Sequence, residues 1–129
     1  MNFNSATAMS TLTTVLKGGG LWKVGDGAMP ESVGTDEGYG IVEQIPGGSS
    51  SGGMAGGMEM ATLMFQIKTV GRSVEQCRLL RQKFYDLLDD NWSSITGCMG
   101  PPRVAPGGIV ANDQRTFESN DTVYMEVTG

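Results

Sequence analysis

Histidine is absent from the 129 residues. Its absence removes the side chain most used as a general base near neutral pH and the commonest nitrogen ligand for metals, so most hydrolase and metal-site chemistries lose their usual parts. Cysteine is scarce. Cys77 and Cys98 are too few for a disulfide scaffold and too far apart for a CxxC pair; a reducing compartment is the simpler reading, and one bond between them stays open. No apolar run reaches the length of a membrane span, and the first twenty residues lack a basic start and a continuous apolar core. The expectation is a soluble, unsecreted protein with no membrane partner. Bases are outnumbered nine to fourteen by acids, for a net charge of −5, which argues against a surface that holds DNA, RNA or anionic lipid over its whole face.

Glycine is abundant, with 20 residues, while apolar residues make up 39% and charged residues 18%. Residues 1–129 therefore read as a single globular domain unusually rich in loop. Asn4 or Ser5 caps a first helix with Ala8, Leu12 and Val15/Leu16 at helical spacing, stopped by Gly18-Gly19-Gly20. Thr11, Thr13 and Thr14 weaken it, and its narrow apolar stripe requires a sheet or a neighbouring subunit to lie on. Between Asp26 and Glu59 there are six acids and no base, interrupted by a strand from Tyr39 to Ile45 that Pro46 ends. Tyr39, Ile41 and Ile45 share one parity with Glu43, and Val42 has the other.

The segment 47–57 holds six glycines, an entropically costly composition for any fixed conformation. Two readings stay open: a long hairpin connection, and a loop that a partner orders, with Gly47, Gly48, Gly52, Gly53, Met54, Gly56, Gly57 and Met58 as the partner-ordered candidates. It lacks the GK[ST] ending and the GxGxxG spacing of phosphate-binding loops. Met58 to Val70 is a strand with Leu63, Phe65 and Ile67 on one face and Gln66 and Lys68 on the other; Met58, Met60 and Met64 make the second face apolar near its start. Methionine there fits a core or an interface equally.

Ser73-Val74-Glu75-Gln76 has capping-box form and opens a helix predicted over Val74 to Asn91, with Cys77, Leu80, Phe84 and Leu87/Leu88 as its apolar stripe and Glu75, Arg78, Gln82, Asp86 and Asp89 facing away. Short strands follow at Arg103 to Ala105 and Ile109 to Asn112 around a Pro106-Gly107-Gly108 turn, then an alternating terminal strand from Thr122 to Thr128. The predicted class is α+β: a small, mainly antiparallel or mixed sheet with two helices packed on one face.

Lys68, Arg72, Arg78, Arg81 and Lys83 form the one basic cluster, and Asp86, Asp89 and Asp90 crowd the far end of the same helix, where the helix dipole is already negative. These eight are the candidate subunit-interface residues. A solvated helix face competes with a head-to-tail contact in which the bases of one copy meet the acids of the next, a geometry that closes into rings. Three acids at one helix end match no metal-ligand spacing, the serines lack a base, and Cys77 lies on an apolar stripe; the expectation is no metal, no cofactor and no enzymatic activity.

Ile45-Pro46-Gly47-Gly48, the strand Met64 to Val70 running into Gly71-Arg72-Ser73, and the helix from Val74 to Leu88 together resemble the tail terminator (minor tail) proteins of long-tailed siphophages, particularly those infecting actinobacteria. The resemblance covers residues 38 to 91. It implies an α/β protomer, six copies of which form a ring at the head-proximal end of the tail tube, assembled in the host cytoplasm and carried in the virion. The implied partners are further copies of the chain, the major tail tube protein and the neck or head-completion proteins. Genomic DNA is implied to pass through the lumen without specific binding, which six times −5 suits. A neck connector or stopper is the alternative within this class, and a small monomeric adaptor is the alternative outside it.

Overall fold

The computed structural model describes residues 5–19, 22–30, 33–34, 36–45, 50–51, 60–112 and 115–128. The candidate loop residues Gly47, Gly48, Gly52, Gly53, Met54, Gly56, Gly57 and Met58 lie outside them. Helix α1 spans Ser5–Lys17 and is followed by β1 (Val24–Asp26), β2 (Tyr39–Ile45), β3 (Ser50–Ser51), β4 (Met60–Gly71), α2 (Val74–Asn91), a 3-10 turn (Trp92–Ser94), β5 (Arg103–Ala105), β6 (Ile109–Ala111) and β7 (Phe117–Thr128).

The strands form one sheet in the order β1-β2-β4-β7-β5, with β3 paired to β4 and β6 to β7. Among the described strands, only β1 and β2 run parallel; β2–β4, β3–β4, β4–β7 and both short strands on β7 are antiparallel. The predicted α+β class therefore holds, and β2 and β4 are the arms of a hairpin whose connection contains β3.

Both helices cover one face. Ala8, Leu12 and Leu16 of α1 and Leu80, Phe84 and Leu88 of α2 meet Val42, Phe65, Ile67, Val123, Met125 and Val127 in a single core. Full burial of Phe65 and Phe84 contributes about 2 to 3 kcal/mol each. Gly40 permits a close helix approach, because a β-carbon there would lie 2.8 Å from the Phe84 ring. The threonines of α1 behave as backbone competitors: Thr11, Thr13 and Thr14 each donate a hydroxyl to the carbonyl four residues earlier.

The cap of α2 differs in one detail from the capping box. Ser73 Oγ accepts from the Gln76 amide at 3.0 Å, but the Gln76 side chain accepts from the Arg72 amide at 2.5 Å and donates to Asp36 O at 3.0 Å. It thereby ties the helix start to the segment preceding β2.

Four elements are not signalled by residue spacing: β1, the two-residue β3 within the segment 47–57, the 3-10 turn, and the first five residues of β7. The last is hidden because Glu118-Ser119-Asn120-Asp121 looks like loop. Its odd positions nonetheless continue the parity of Val123, Met125 and Val127, and Ser119 and Asp121 are fully buried beneath α2.

Candidate interaction surfaces

One side of α2 rests on a polar seam. Cys77, Arg81 and Tyr85, spaced four apart and so on one face, overlie Thr69 of β4 and Ser119 and Asp121 of β7. Arg81 donates to Gly107 O at 2.8 Å and lies 3.8 Å from the carboxylate of Asp121. The same carboxylate oxygen accepts from the Gly107 amide at 2.8 Å. Arg81 also lies 5.9 Å from the Tyr85 ring centroid. The pair therefore pins the turn between β5 and β6 onto the sheet.

Thr69 Oγ1, Tyr85 Oη, Ser119 Oγ and Asp121 Oδ2 have no hydrogen bond of good geometry among the described residues. Burial, and then the negative charge of Asp121, pushes the Tyr85 phenol well above its ordinary value. Burial likewise raises the Cys77 thiol, against opposing contributions from Ser119 and Arg81. Cys77 is consequently a protonated, poorly nucleophilic thiol, and both cysteines are free.

This seam divides the predicted interface residues. Arg81 points inward. Arg72 also works within the chain, donating to Glu37 O at 3.1 Å and Gly34 O at 3.2 Å, and Lys68 pairs with Glu118 at 3.2 Å. Arg78, Lys83, Asp86, Asp89 and Asp90 are exposed on the outer side of α2; Asp86 accepts from Gln82 at 2.9 Å, and no base stands in the last turn. The structure thus separates three internally engaged bases from two that face solvent. Among the described residues, no group of three or more potential metal ligands converges, and no helix is long and apolar enough to cross a membrane.

Two surfaces stand out as unpartnered among the described residues. The outer side of α2 carries Leu79, 60% exposed, one residue off the apolar stripe that buries the helix. Leu79 borders a groove of about 770 Å³, lined also by Trp22, Leu80, Gly38 and Lys83.

The second surface is the sheet face opposite the helices, which no described element covers. Register places Ile45, Met64, Tyr124 and Arg103 in one row across β2, β4, β7 and β5. The first three are half-buried, and the Arg103 guanidinium lies 5.4 Å from the Tyr124 ring centroid. Glu43 stands in the row on one side and Glu126 in the row on the other; both are exposed. Glu126 accepts from the Thr62 hydroxyl at 3.0 Å. A shallow recess next to this row is lined by Ile41, Glu43, Gln66, Lys68 and Asn120, and Gln66 donates to Asn120 at 2.8 Å.

Met64, whose residue type fits a core or an interface equally, lies on the sheet face that no described element covers. Leu79, Glu43 and Glu126 become surface features only in the fold. An apolar residue beside a helical stripe, and acids sharing parity with apolar strand residues, were the available signals.

No protein-family model matches the chain, and no curated protein sequence matches it. Its fold does match solved structures. A chain of the virion of a native gene transfer agent particle superposes with a TM-score of 0.63 at 10% identity, over 97% of each chain. A second solved chain, described without a function, gives a TM-score of 0.58 at 15% identity over 95% of this chain and 92% of that one. At these identities the likeness defines a shared fold along essentially the full length.

Proposed function

We propose that this chain is a non-enzymatic structural protein of a virion, and more specifically a tail terminator: a homo-oligomeric, hexameric ring that caps the tail tube at its head-proximal end and docks to the neck or head-completion proteins. The observation that carries the reading is the end-to-end likeness of fold to a chain of a gene transfer agent virion. It is supported by the sequence resemblance to siphophage tail terminators over residues 38 to 91. Two unpartnered surfaces on one small protomer suit a component that completes itself against neighbours. The mechanism is interface chemistry, and no bond is made or broken. A net charge of −5 per copy suits a conduit that lets a duplex slide past rather than holding its phosphates.

Gold-labelled antibody against this chain, imaged by electron microscopy on intact particles, tests the reading. Label at the junction of head and tail supports it. Label on the shaft, the tip or the capsid, or its absence from particles, overturns it. The groove beside Leu79 favours a second reading, a small monomeric binding module; light scattering after size exclusion, with and without tube protein, identifies that case as a persistent monomer indifferent to the tube.

A further inference from the structure

We infer that the uncovered sheet face of one copy receives the outer side of α2 from a second copy, in a head-to-tail contact centred on Leu79. The inference rests on the proposed self-association and adds which two surfaces meet.

Leu79 is 60% exposed, and the row Ile45-Met64-Tyr124 is an apolar strip on the sheet face that no described element covers. Each is too small a patch to define an interface by itself, and each is flanked by charge. Arg78 and Lys83 diverge to opposite sides of Leu79, because one residue back and four residues forward rotate the chain in opposite senses around a helix of 3.6 residues per turn. On the sheet, Glu43 and Glu126 flank the apolar row from opposite sides, four residues apart along the strands and two strands apart across them, a separation of about 16 Å. Two extended basic side chains splayed from one helix span a comparable width.

The order of signs also matches. Along the outer side of α2 it runs Glu75, Arg78, Leu79, Lys83: acid, base, apolar, base. Along the sheet face, successive rows bring Lys68, Glu43, the apolar strip with exposed Arg103 at its β5 end, and Glu126: base, acid, an apolar row ending in a base, acid. Among the described residues, Arg78, Lys83, Glu43 and Glu126 form no ion pair, so their charges remain available to a neighbour. Lys68 is already paired with Glu118 and contributes the least.

The two surfaces lie on opposite sides of the protomer, since α2 covers the helical face and the strip occupies the other. A contact between them is heterologous and propagates from copy to copy, closing when the rotation allows. The bases Arg72 and Arg81, held inside the chain, take no part. The acids Asp86, Asp89 and Asp90 are replaced as the receptor for the helix bases by Glu43 and Glu126.

Sedimentation velocity over a dilution series of the purified chain, extending to the highest soluble concentration, tests the pairing with two double variants. Arg78→Glu with Lys83→Glu, and separately Glu43→Lys with Glu126→Lys, should each weaken association roughly 100-fold while circular dichroism and melting temperature stay near those of the unmodified chain. An equimolar mixture of the two variants should associate again, because every contact then joins either two unmodified surfaces or two reversed ones. A wild-type chain that stays monomeric defeats the self-association reading and the pairing with it. A wild-type oligomer indifferent to the sheet-face variant, or a mixture that stays dissociated, overturns the pairing while self-association survives.

Discussion

Met64 and Phe65 are neighbours in β4, and they face opposite sides of the same sheet. Phe65 is sealed between Val42, Val123 and the two helices, whereas Met64 stands in a half-buried row with charges on both flanks. The same division recurs on α2, where half-buried Arg81 lies against the buried Asp121 and Arg78, less than one turn away, faces water. One side of each element serves the fold, and the other is free to serve a partner. Stability measurements should therefore respond to one side and association measurements to the other.

The sharpest contrast is between the two neighbours in β4. Phe65→Ala should lower the unfolding free energy by about 4 kcal/mol, through lost burial and the cavity left behind. Met64→Ala should cost less than about 1 kcal/mol in the isolated protomer; chemical denaturation curves compare them directly. A Met64→Ala cost equal to that of Phe65→Ala would mean that the uncovered face is covered.

The two arginines come next. Arg81→Met should cost about 3 kcal/mol, because Asp121 then stays buried without its counter-charge, while Arg78→Met should stay within about 0.5 kcal/mol. Equal effects in urea titrations would erase the distinction between the inner and outer sides of α2.

Gly40→Ala should cost about 1 to 2 kcal/mol, since the added carbon collides with the Phe84 ring and the helix must shift. A companion Phe84→Leu change should recover part of that loss, measured as melting temperature.

The smallest expected effect is an alkaline one. Tyr85 and Cys77 hold their protons more tightly folded than unfolded, so their contribution is fully present at neutral pH. It begins to fall as pH rises past the ordinary cysteine value of 9.0 and continues past the ordinary tyrosine value of 10.0, because the unfolded chain then releases protons that the folded chain keeps. Tyr85→Phe should flatten this alkaline limb and leave stability between pH 6 and 8 nearly independent of pH, as followed by melting temperature against pH.

Much of the architecture could be read from residue spacing. The 3.6 periodicity of Cys77, Leu80, Phe84 and Leu88, with Ser73 ahead of it, places α2 from Val74 to Asn91, and the run Tyr39 to Ile45 places β2. Parity alone misdirects in β2, however. Its larger side chains, Tyr39, Ile41 and Ile45, lie on the uncovered face, while Gly40 and Val42 face the helices, because Phe84 needs the space above Gly40. Local pattern records which residues share a side; it does not record which side a helix will occupy.

Local spacing and composition suffice for the two helices, strands β2 and β4, the second half of β7, the α+β class and the absence of histidine chemistry, because these depend on neighbours within a few residues or on overall content. Tertiary structure alone decided that Arg81 belongs to a buried carboxylate forty residues away in sequence, that Met64 and Tyr124 share an open row, and that Glu43 and Glu126 flank it. Those relations arise when distant strands come into register, and pairing between strands follows the burial of a whole face rather than the properties of any one segment.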